Sequence, residues 1–324
     1  MSSVLVTGGT GSFGQSFVRH LLHGDTDRIV VFSRDELKQH QMRADGLVND
    51  RLRYFVGDVR DRDRLRRAMH GVTTVVHAAA LKQVDTCEYN PLEAVHTNID
   101  GTANVIDAAL DAQVTRVLML GTDKACDPTN LYGATKLVAE KLIVDANAYS
   151  GDSGTMFAST RYGNVISSRG SVLPVFQAQH ANGGVLTITD PDMTRFVLTL
   201  EQGVEFVSDC LKIMVGGEVF IPKLPAVTVS TIAESVCWPH PAMMKVVGSR
   251  PGEKHHELLI SQHESVRTLD RGWHYLVQPL AFPRDTSWDG VPLLPGVAYG
   301  SDTADRLDID GFRRLAGLDV DVAA

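Results

Sequence analysis

Cysteine, uninterrupted basic charge and long apolar segments are all scarce in this sequence of 324 residues. The four cysteines are widely scattered and form no C-x-x-C pair, which argues against a disulfide framework or a structural zinc site and favours a reducing compartment. The net charge of −8 and the lack of a basic run argue against a nucleic-acid partner. No apolar stretch reaches the ~20 residues that span a membrane, and no basic leader precedes the first strand. The sequence therefore predicts a soluble cytoplasmic protein without a membrane anchor.

A metal site is not predicted either, because the histidines are dispersed and the pair His255–His256 lacks partners at metal-ligand spacing. The chain is long enough for a large core and two lobes, and no repeat, low-complexity tract or linker interrupts it. We therefore expect two lobes that pack together. The boundary is placed after Val165, where strands and helices cease to alternate regularly, giving domains of residues 1–165 and 166–324. Part of the second half could cross back to the first lobe.

A glycine-rich loop follows the first apolar run, Val4 to Thr7, and precedes a helical pattern. In such a strand, loop and helix, glycines permit a tight turn, a close approach of backbone to a pyrophosphate and close helix packing, while helix N-terminal amides face the anion. The loop therefore predicts dinucleotide binding rather than a merely structural turn. Its predicted contacts are Gly8, Thr10, Gly11, Ser12, Phe13 and Gly14.

The end of the second strand, Ile29 to Phe32, favours NADP over NAD. An acidic residue is expected there for a free ribose 2′-hydroxyl, but Ser33 and Arg34 occupy the position, and a hydroxyl with a guanidinium suits a 2′-phosphate. Lys38 is a further predicted contact. Asp35 could bind the ribose instead, although it also fits the acidic first turn of a helix.

Further strand ends supply the other predicted cofactor contacts. Strands alternate with helices at a spacing that predicts a doubly wound parallel α/β sheet (Rossmann), with ligands at the carboxyl ends of its strands and a smaller α/β lobe for the substrate. Asp58 could meet the adenine or could cap the next helix. Asn98, inside an apolar helical pattern that starts at Pro91, must be hydrogen-bonded, and a structural role is the alternative for it. The predicted contacts of these segments are Asp58, Val59, Ala78, Ala79, Ala80, Lys82 and Asn98.

The most informative stretch follows a buried run, Val117 to Leu120. Tyr132 and Lys136 are four residues apart at the start of a helical pattern, so both side chains should lie on one face of its first turn. A cationic lysine beside a phenol favours the phenolate, which can remove the proton of an alcohol. The spacing alone arises in many helices, and a surface pair is the alternative.

With the glycine loop and the Tyr132-x-x-x-Lys136 pair, the chain resembles the extended short-chain dehydrogenase/reductases. Thr122-Asp-Lys124 narrows the resemblance to the inverting UDP-N-acetylglucosamine 4,6-dehydratases of flagellin-glycan type, since retaining relatives carry Met at the position of Tyr132. The similarity covers residues 4 to about 265 and departs from the family at Thr231 to Pro241. The other matching motifs are Ser33-Arg-Asp-Glu-Leu-Lys-Gln39, Asn130-Leu-Tyr-Gly-Ala-Thr-Lys136, Arg161-Tyr-Gly-Asn-Val165, Ser168-Arg-Gly-Ser171, Met193-Thr-Arg-Phe196 and Arg250-Pro-Gly-Glu-Lys254.

A UDP-sugar substrate and a homo-oligomer are further implications of the resemblance. The family's uridine and diphosphate contacts transfer to Asn164, Arg195, Arg250 and Glu253, and less surely to Thr187. Independently of the family, guanidinium groups suit a diphosphate, so the cations of the second half are candidates, with a solvated surface as the alternative for each. They are Arg161, Arg169, Arg195, Arg250 and Lys254, while Lys82 should face the cleft from the first lobe.

These residues predict an internal redox reaction. Tyr132 is expected to take the proton of the carbon 4 hydroxyl while hydride passes to the nicotinamide, with Thr122 donating to the new carbonyl. Lys124 should then remove the carbon 5 proton and Asp123 should protonate the departing carbon 6 hydroxyl, before the hydride returns to carbon 6. Lys124 must be neutral to do so, and we expect burial beside Lys136 to lower its pKa.

Four rival interpretations of the function stay open at this point. A UDP-sugar 4-epimerase, a simple dehydrogenase or a related dehydratase for another UDP-sugar would share the glycine loop with Tyr132 and Lys136, but neither of the first two uses Asp123 and Lys124. A non-catalytic NADP-sensing regulator would bind cofactor without turnover. Asp123 and Lys124 could also be an ordinary surface pair.

Overall fold

The computed structural model describes residues 2–166, 168, 170–280 and 288–318. Strands alternate with helices through its first half. In chain order these elements are β1 (Ser3–Thr7), α1 (Ser12–His23), β2 (Arg28–Ser33), α2 (Glu36–Ala44), β3 (Leu52–Val56), α3 (Arg62–Met69), β4 (Thr74–His77), α4 (Val84–Tyr89), α5 (Pro91–Val95), a π-helical turn (His96–Asp100), α6 (Gly101–Asp111), β5 (Arg116–Leu120), α7 (Leu131–Asp145), β6 (Met156–Thr160) and β7 (Asn164–Val165).

The second half has shorter strands and a less regular alternation. Its elements are α8 (Val172–Ala181), β8 (Leu186–Ile188), β9 (Thr194–Leu198), α9 (Leu200–Ile213), β10 (Val219–Pro222), β11 (Ala226–Thr228), α10 (Val229–Cys237), β12 (Met244–Val246), β13 (Leu258–Ile260), β14 (Thr268–Asp270), β15 (His274–Val277), β16 (Val291–Pro292), β17 (Tyr299–Gly300) and α11 (Ile309–Ala316).

One sheet organises the fold, with strand order β3-β2-β1-β4-β5-β6-β10-β15-β14-β16 across the described residues. The seven strands from β3 to β10 pair in parallel, and the remaining pairs are antiparallel. The strand order reverses beside β1, which pairs with both β2 and β4. In a doubly wound sheet a ligand crevice opens at that point. The fold class is therefore the predicted α/β one.

Apolar side chains cover both faces of this sheet, as the apolar runs of its strands require. On one face α1 and α9 pack through residues such as Phe17 and Val207, and on the other α3, α6 and α7 pack through Leu65, Val105 and Ile143. Burial of each such side chain stabilises the fold by about 1.5–3 kcal/mol. The two layers hold the carboxyl ends of the strands in fixed positions.

The smaller lobe is built from residues of the second half together with β7. It contains a three-stranded sheet of β11, β9 and β7, two strand pairs, β8 with β12 and β13 with β17, and the helices α8, α10 and α11. Strands β10, β14, β15 and β16 instead extend the main sheet. The division after Val165 stays a prediction. None of the described helices is both long and apolar enough to cross a bilayer.

A π-helical turn interrupts the helix that the sequence predicts as continuous from Pro91. In this turn the amide of Gly101 donates to the carbonyl oxygen of His96, five residues earlier. A π turn is rare and often lies at a functional site. Here it holds Asn98, which is 2% exposed, beneath the cleft described below.

Buried charge ties the lobes together at the end of β6. Arg161, which is fully buried, donates through Nε to Glu140 of α7 at 3.1 Å and through Nη1 and Nη2 to Glu264 at 2.9 and 3.0 Å. Nη2 also donates to Glu140, and Nη1 donates to the carbonyl oxygen of Leu259 at 2.9 Å. Burial would raise the pKa of Glu264, but Arg161 outweighs it and lowers that pKa to about 2. We call Arg161, Glu140 and Glu264 the Arg161 cluster.

Candidate functional site

A cleft of about 780 Å³ opens at the carboxyl ends of the parallel strands, between the two lobes. This volume lies within the range of small-molecule and cofactor sites. The loops after β1, β2, β3, β4 and β5 line one side, and β7, β9 and the segment of residues 250–257 line the other. The cleft therefore spans the strand-order reversal and extends into the smaller lobe.

The glycine loop forms the inner wall of the cleft. Gly8 has a φ of +63°, and a Cβ added to it would lie 2.9 Å from the backbone of Ala79. Only glycine adopts this conformation without strain while two backbones approach so closely. The start of α1 follows at once, and its first residues, Ser12, Phe13 and Gly14, line the cleft. These features fit the pyrophosphate of a dinucleotide.

The end of β2 carries the charged groups expected near the cofactor ribose. Arg34 is a half-exposed cation 3.7 Å from Asp58, while Asp35 accepts from the amide of Lys38 at 3.0 Å and pairs with its ammonium at 2.7 Å. Asp35 therefore caps α2, the helical alternative of the sequence analysis. Asp58 is not the cap of α3, because Asp61 has that role. The residues that line the cleft here are Arg34, Asp35, Lys38 and Asp58.

A chain of buried hydrogen bonds fixes the wall after β4. The hydroxyl of Thr7 accepts from the amides of Ala78 and Ala79 at 3.1 and 3.2 Å and lies 2.7 Å from His77 Nδ1. Burial lowers the pKa of His77 to about 3, so the ring stays neutral. Asn98 donates to the carbonyl oxygen of Leu81 at 3.0 Å and accepts from its amide at 2.8 Å.

Tyr132 and Lys136 lie in the first turns of α7, both buried and both lining the cleft. Burial raises the pKa of Tyr132 to about 12, although Lys124 and the hydroxyl of Thr122 counteract part of this effect. Lys136 donates to the carbonyl oxygen of Leu120 at 2.7 Å, and burial lowers its pKa to about 8. The sequence analysis expected Lys136 to be the cation acting on the phenol, whereas Lys124 acts on it here.

The Asp123–Lys124 turn lies directly against the start of α7. An added Cβ at Gly133 would lie 2.2 Å from the carbonyl oxygen of Lys124, so only glycine allows this packing. The contact brings Tyr132 and Lys124 into the same part of the cleft. Gly133 therefore determines how closely the Asp123–Lys124 turn can approach the start of α7.

Lys124 lies between two buried carboxylates. Its ammonium is 3.0 Å from Asp123 Oδ1 and 3.4 Å from Glu257 Oε1, and it donates to Asn164 Oδ1 at 3.4 Å. Burial would lower the pKa of Lys124, but the carboxylates outweigh it and raise that pKa. The expected lowering of this pKa is therefore wrong, because the charges of Asp123 and, to a smaller extent, Glu257 stabilise the ammonium form. We call Lys124, Asp123 and Glu257 the Lys124 cluster.

Two carboxylate oxygens of this cluster have no hydrogen-bond partner among the described residues. They are Asp123 Oδ2 and Glu257 Oε2, on side chains whose residues are 1% and 3% exposed. A buried polar atom without a partner is costly. The site is thus arranged to receive a donor or a proton from a ligand.

The smaller lobe contributes cations to the far side of the cleft. Arg195 Nη2 donates to Glu253 Oε1 at 3.0 Å, and Nη1 donates to the carbonyl oxygens of Thr194 and His255 at 2.8 and 3.1 Å. Arg250 lines the cleft nearby. Nη2 of Arg195 also donates to Met193 Sδ at 3.3 Å, so both Nη groups are used within the protein. Arg195 therefore offers a diphosphate its positive charge and its Nε–H group.

Most residues singled out by the sequence analysis meet in this one cleft. It brings together Gly8, Thr10, Gly11, Ser12, Phe13, Gly14, Ser33, Arg34, Lys38, Asp58, Val59, Ala78, Ala79, Ala80, Lys82, Thr122, Asp123, Lys124, Tyr132, Lys136, Asn164, Arg195, Arg250, Glu253 and Lys254.

Three predicted site residues lie elsewhere. Arg161 is enclosed in the Arg161 cluster, where all its donors are used within the protein, so it cannot reach a substrate. Thr187 is an exposed residue of β8 that accepts from Gln179 at 2.8 Å. Asn98 supports the wall of the cleft without lining it. Arg169 lies outside the described residues.

The sequence analysis missed Glu257, together with Gln83, Asp85, Asn130 and Ser171, all of which line the cleft. Glu257 follows the Arg250–Lys254 motif by only three residues, and that proximity was the available signal. No group of residues that could hold a metal ion is found in the described part of the chain.

Comparisons with known proteins agree with this geometry. The model of a family described as polysaccharide biosynthesis protein matches residues 4–279. An inverting UDP-N-acetylglucosamine 4,6-dehydratase of Campylobacter jejuni is 48% identical over 313 residues, 93% of this chain and 92% of that protein. A UDP-glucose 4-epimerase of Rickettsia prowazekii is 41% identical, over 85% of this chain and 82% of that protein.

Among solved structures, Pen from Bacillus thuringiensis is similar with a TM-score of 0.89 and 37% identity, covering 97% of this chain and 96% of that one. A dTDP-glucose 4,6-dehydratase from Streptomyces venezuelae shares the fold, with a TM-score of 0.71 at 22% identity, over 97% of this chain and 96% of that one. The chain belongs to the polysaccharide biosynthesis protein family, within the extended short-chain dehydrogenase/reductases.

Proposed function

We propose that the protein is a UDP-N-acetylglucosamine 4,6-dehydratase that inverts carbon 5 and yields a 4-keto-6-deoxy UDP-sugar. The observation that carries the proposal is the meeting of Tyr132 with Asp123 and Lys124 in one cleft. An enzyme that only oxidises or epimerises carbon 4 uses the tyrosine but has no step for an adjacent acid and base. The relative from Campylobacter jejuni, 48% identical, bears this activity in its name.

The cofactor proposed for the first lobe is NADP. Gly8 and the start of α1 fit the pyrophosphate, and Arg34 and Lys38, with the hydroxyl of Ser33, fit a 2′-phosphate. When bound, the nicotinamide supplies a hydride acceptor for carbon 4 and later a hydride donor for carbon 6. The dinucleotide would be held with its nicotinamide end toward Tyr132 and Lys136.

In the first half of the reaction Tyr132 takes the proton of the carbon 4 hydroxyl. The phenolate is the form of Tyr132 that accepts this proton. Its pKa of about 12 already includes the lowering by Lys124, and a cationic nicotinamide would lower it further. Thr122 can donate to the carbonyl oxygen that forms. The ketone acidifies the hydrogen on carbon 5, which makes elimination feasible.

In the second half Lys124 and Asp123 act as a pair. One proton that moves from Lys124 Nζ to Asp123 Oδ1, 3.0 Å away, creates an amine and a carboxylic acid at once. The amine then takes the carbon 5 proton and the acid protonates the carbon 6 hydroxyl, which leaves as water. Both residues return to their starting charges, so the step needs no outside proton.

The diphosphate of the substrate is assigned to the smaller lobe. Arg195 and Arg250 are the proposed anion contacts, and Asn164 and Glu253 are the proposed polar contacts. Lys82 faces the same space from the first lobe. This arrangement would place the sugar between the Lys124 cluster and the cofactor.

The test is incubation of the purified protein with UDP-N-acetylglucosamine and catalytic NADP⁺, followed by mass spectrometry. We expect a product lighter by one water and no net accumulation of reduced nicotinamide, because the hydride returns to the same sugar. Growth of reduced nicotinamide in proportion to product would identify a dehydrogenase instead.

A second candidate is a UDP-sugar 4-epimerase, favoured by relatives of that name that are 41–42% identical. Such a product keeps the mass of the substrate, so the same experiment distinguishes the two. The buried acid/base pair is the reason to prefer the dehydratase.

A further inference from the structure

Glu257 is a buried charge of the cleft for which the proposed reaction has no step. It lies at the start of β13 in the smaller lobe, whereas Asp123, Lys124 and Tyr132 come from the first lobe. Its backbone is fixed on both sides by Ser301, whose hydroxyl accepts from the Glu257 amide at 2.9 Å and whose amide donates to the Glu257 carbonyl at 2.8 Å. The carboxylate therefore has a defined position.

The side chain of Glu257 contacts Lys124, the proposed base. Oε1 lies 3.4 Å from Lys124 Nζ, and Oε2 lies 3.9 Å from Lys254 Nζ without a hydrogen bond to any described residue. Lys254 donates to the carbonyl oxygen of Cys126 and so has another partner. A carboxylate needed only for folding would have its oxygens satisfied.

The surroundings of Lys124 show what Glu257 does to it. Asp123 on the same turn and Glu257 across the lobe boundary are its anionic neighbours, Arg195 of β9 is a cationic one, and Tyr132 of α7 is a neutral one. Asp123 alone would already pair with the lysine ammonium. Glu257 places a second carboxylate oxygen 3.4 Å from it.

We infer that Glu257 is a positioning residue for the proposed reaction, which holds the side chain of Lys124 in the cleft as an ammonium ion opposite Asp123. The catalytic benefit of this contact rests on the proposed function, but the effect of Glu257 on the Lys124 ammonium can be measured without turnover. Orientation of a base by a third group is a recurring arrangement in enzymes. Here the third group comes from the other lobe, so the base is fully held only when the two lobes are packed together.

The pH dependence is the property that a merely structural role of Glu257 would not change. Replacing Glu257 by Gln keeps size and an acceptor oxygen but removes the charge. An opposite charge within hydrogen-bonding reach shifts a pKa by about 1–3 units, so we expect the midpoint for loss of the Lys124 proton to fall by about one pH unit or more in Glu257→Gln. The pH range that supports elimination should move down with it.

The experiment is a pH titration of the full-length protein with ¹³C-labelled lysine ε-carbons, read by NMR. The Lys124 signal is assigned by its loss in Lys124→Arg. Glu253→Gln is the matched control, because that carboxylate lies in the same segment but faces Arg195. A lower midpoint in Glu257→Gln and an unchanged one in Glu253→Gln support the inference, and equal midpoints in Glu257→Gln and the unmodified protein overturn it.

Turnover separates this inference from the proposed function. Incorporation of solvent deuterium at carbon 5, followed against pH, should show the same downward shift in Glu257→Gln. If the unmodified protein does not dehydrate the sugar but the Lys124 midpoint is still lower in Glu257→Gln, the proposed function is wrong, whereas the effect of Glu257 on Lys124 is supported. If dehydration occurs and its pH range is the same in both proteins, the inference fails alone.

Discussion

Two buried clusters in this protein have the same charges, one cation between two carboxylates, yet they differ in every other respect. In the Arg161 cluster the guanidinium is fully buried and its donors are all used. In the Lys124 cluster the cation side chain is 24% exposed and each carboxylate keeps an oxygen without a partner in the described residues. An arginine cannot release a proton in a protein, whereas a lysine can. The difference agrees with a structural role for the first cluster and with the proton transfer proposed for the second.

The largest expected effect comes from making the Lys124 cluster resemble the other one. Lys124→Arg keeps a cation between the carboxylates but prevents proton release, and Lys124→Ala removes the base. Both variants should lose dehydration by roughly 10²- to 10⁴-fold, as expected for a positioned base. Product formation measured by mass spectrometry checks the loss.

Oxidation of carbon 4 through Tyr132 should survive in both variants, seen as partial reduction of bound NADP⁺ in a single-turnover absorbance measurement. Normal dehydration by Lys124→Arg would contradict the proposal that the Lys124 cluster, unlike the Arg161 cluster, transfers protons.

Breaking the Arg161 cluster should affect folding rather than chemistry. Arg161→Met leaves Glu140 and Glu264 without their cation in the core, and loss of one partner of a buried ion pair costs about 3–5 kcal/mol. Urea unfolding, monitored by circular dichroism, should show a corresponding drop in the free energy of unfolding. A variant as stable as the unmodified protein would show that this cluster does not join the lobes.

Much of the cleft could be predicted from sequence because its signals are local. The glycines from Gly8 to Gly14 are close together in the sequence, and so are Tyr132 and Lys136. The residues of both motifs line the cleft. The apolar runs identify the parallel strands for the same reason.

What escaped prediction depends on tertiary packing. Arg161 has the chemistry of a diphosphate ligand, and only the fold shows that Glu140 and Glu264 enclose it. Glu257 reaches Lys124 across 133 residues of chain, and no periodicity reveals that contact. Asp123 and then Glu257 raise the pKa of Lys124, and the second of these contacts depends on the fold.

The stability of the protein in acid should depend on the Arg161 cluster. The pKa of Glu264 is lowered to about 2 from an ordinary 4.5, so its contribution to stability is present above about pH 4.5 and is lost as the pH falls toward 2. That contribution is about 3 kcal/mol by linkage. In Glu264→Gln the stability between these pH values should therefore vary less with pH, which thermal unfolding at a series of pH values measures.

Equal curves for Glu264→Gln and the unmodified protein would contradict the assignment of the acid dependence to the Arg161 cluster.

The smallest expected effect concerns Arg34, an exposed arginine at the cofactor end of the cleft, which can be compared with the buried Arg161. Arg34, paired loosely with Asp58 at 3.7 Å, is free to meet a 2′-phosphate in a way that Arg161 is not. Its loss should weaken NADP⁺ binding by roughly 10- to 100-fold, the value of one or two charge-assisted hydrogen bonds, and leave NAD⁺ binding nearly unchanged. Calorimetry with Arg34→Ala checks this, and equal affinities for both cofactors in the unmodified protein would refute the NADP assignment.

The most direct measurement of the central claim is a reaction with UDP-N-acetylglucosamine in heavy water, followed by proton NMR from the earliest time points. In the proposed reaction Lys124 removes the carbon 5 proton, and inversion requires that a proton return to the opposite face. We therefore predict a product with deuterium at carbon 5 and the couplings of UDP-2-acetamido-2,6-dideoxy-β-L-arabino-hexos-4-ulose. A D-xylo product at the first time point would contradict inversion, and a sugar that keeps its mass and its carbon 5 proton would contradict the dehydratase itself.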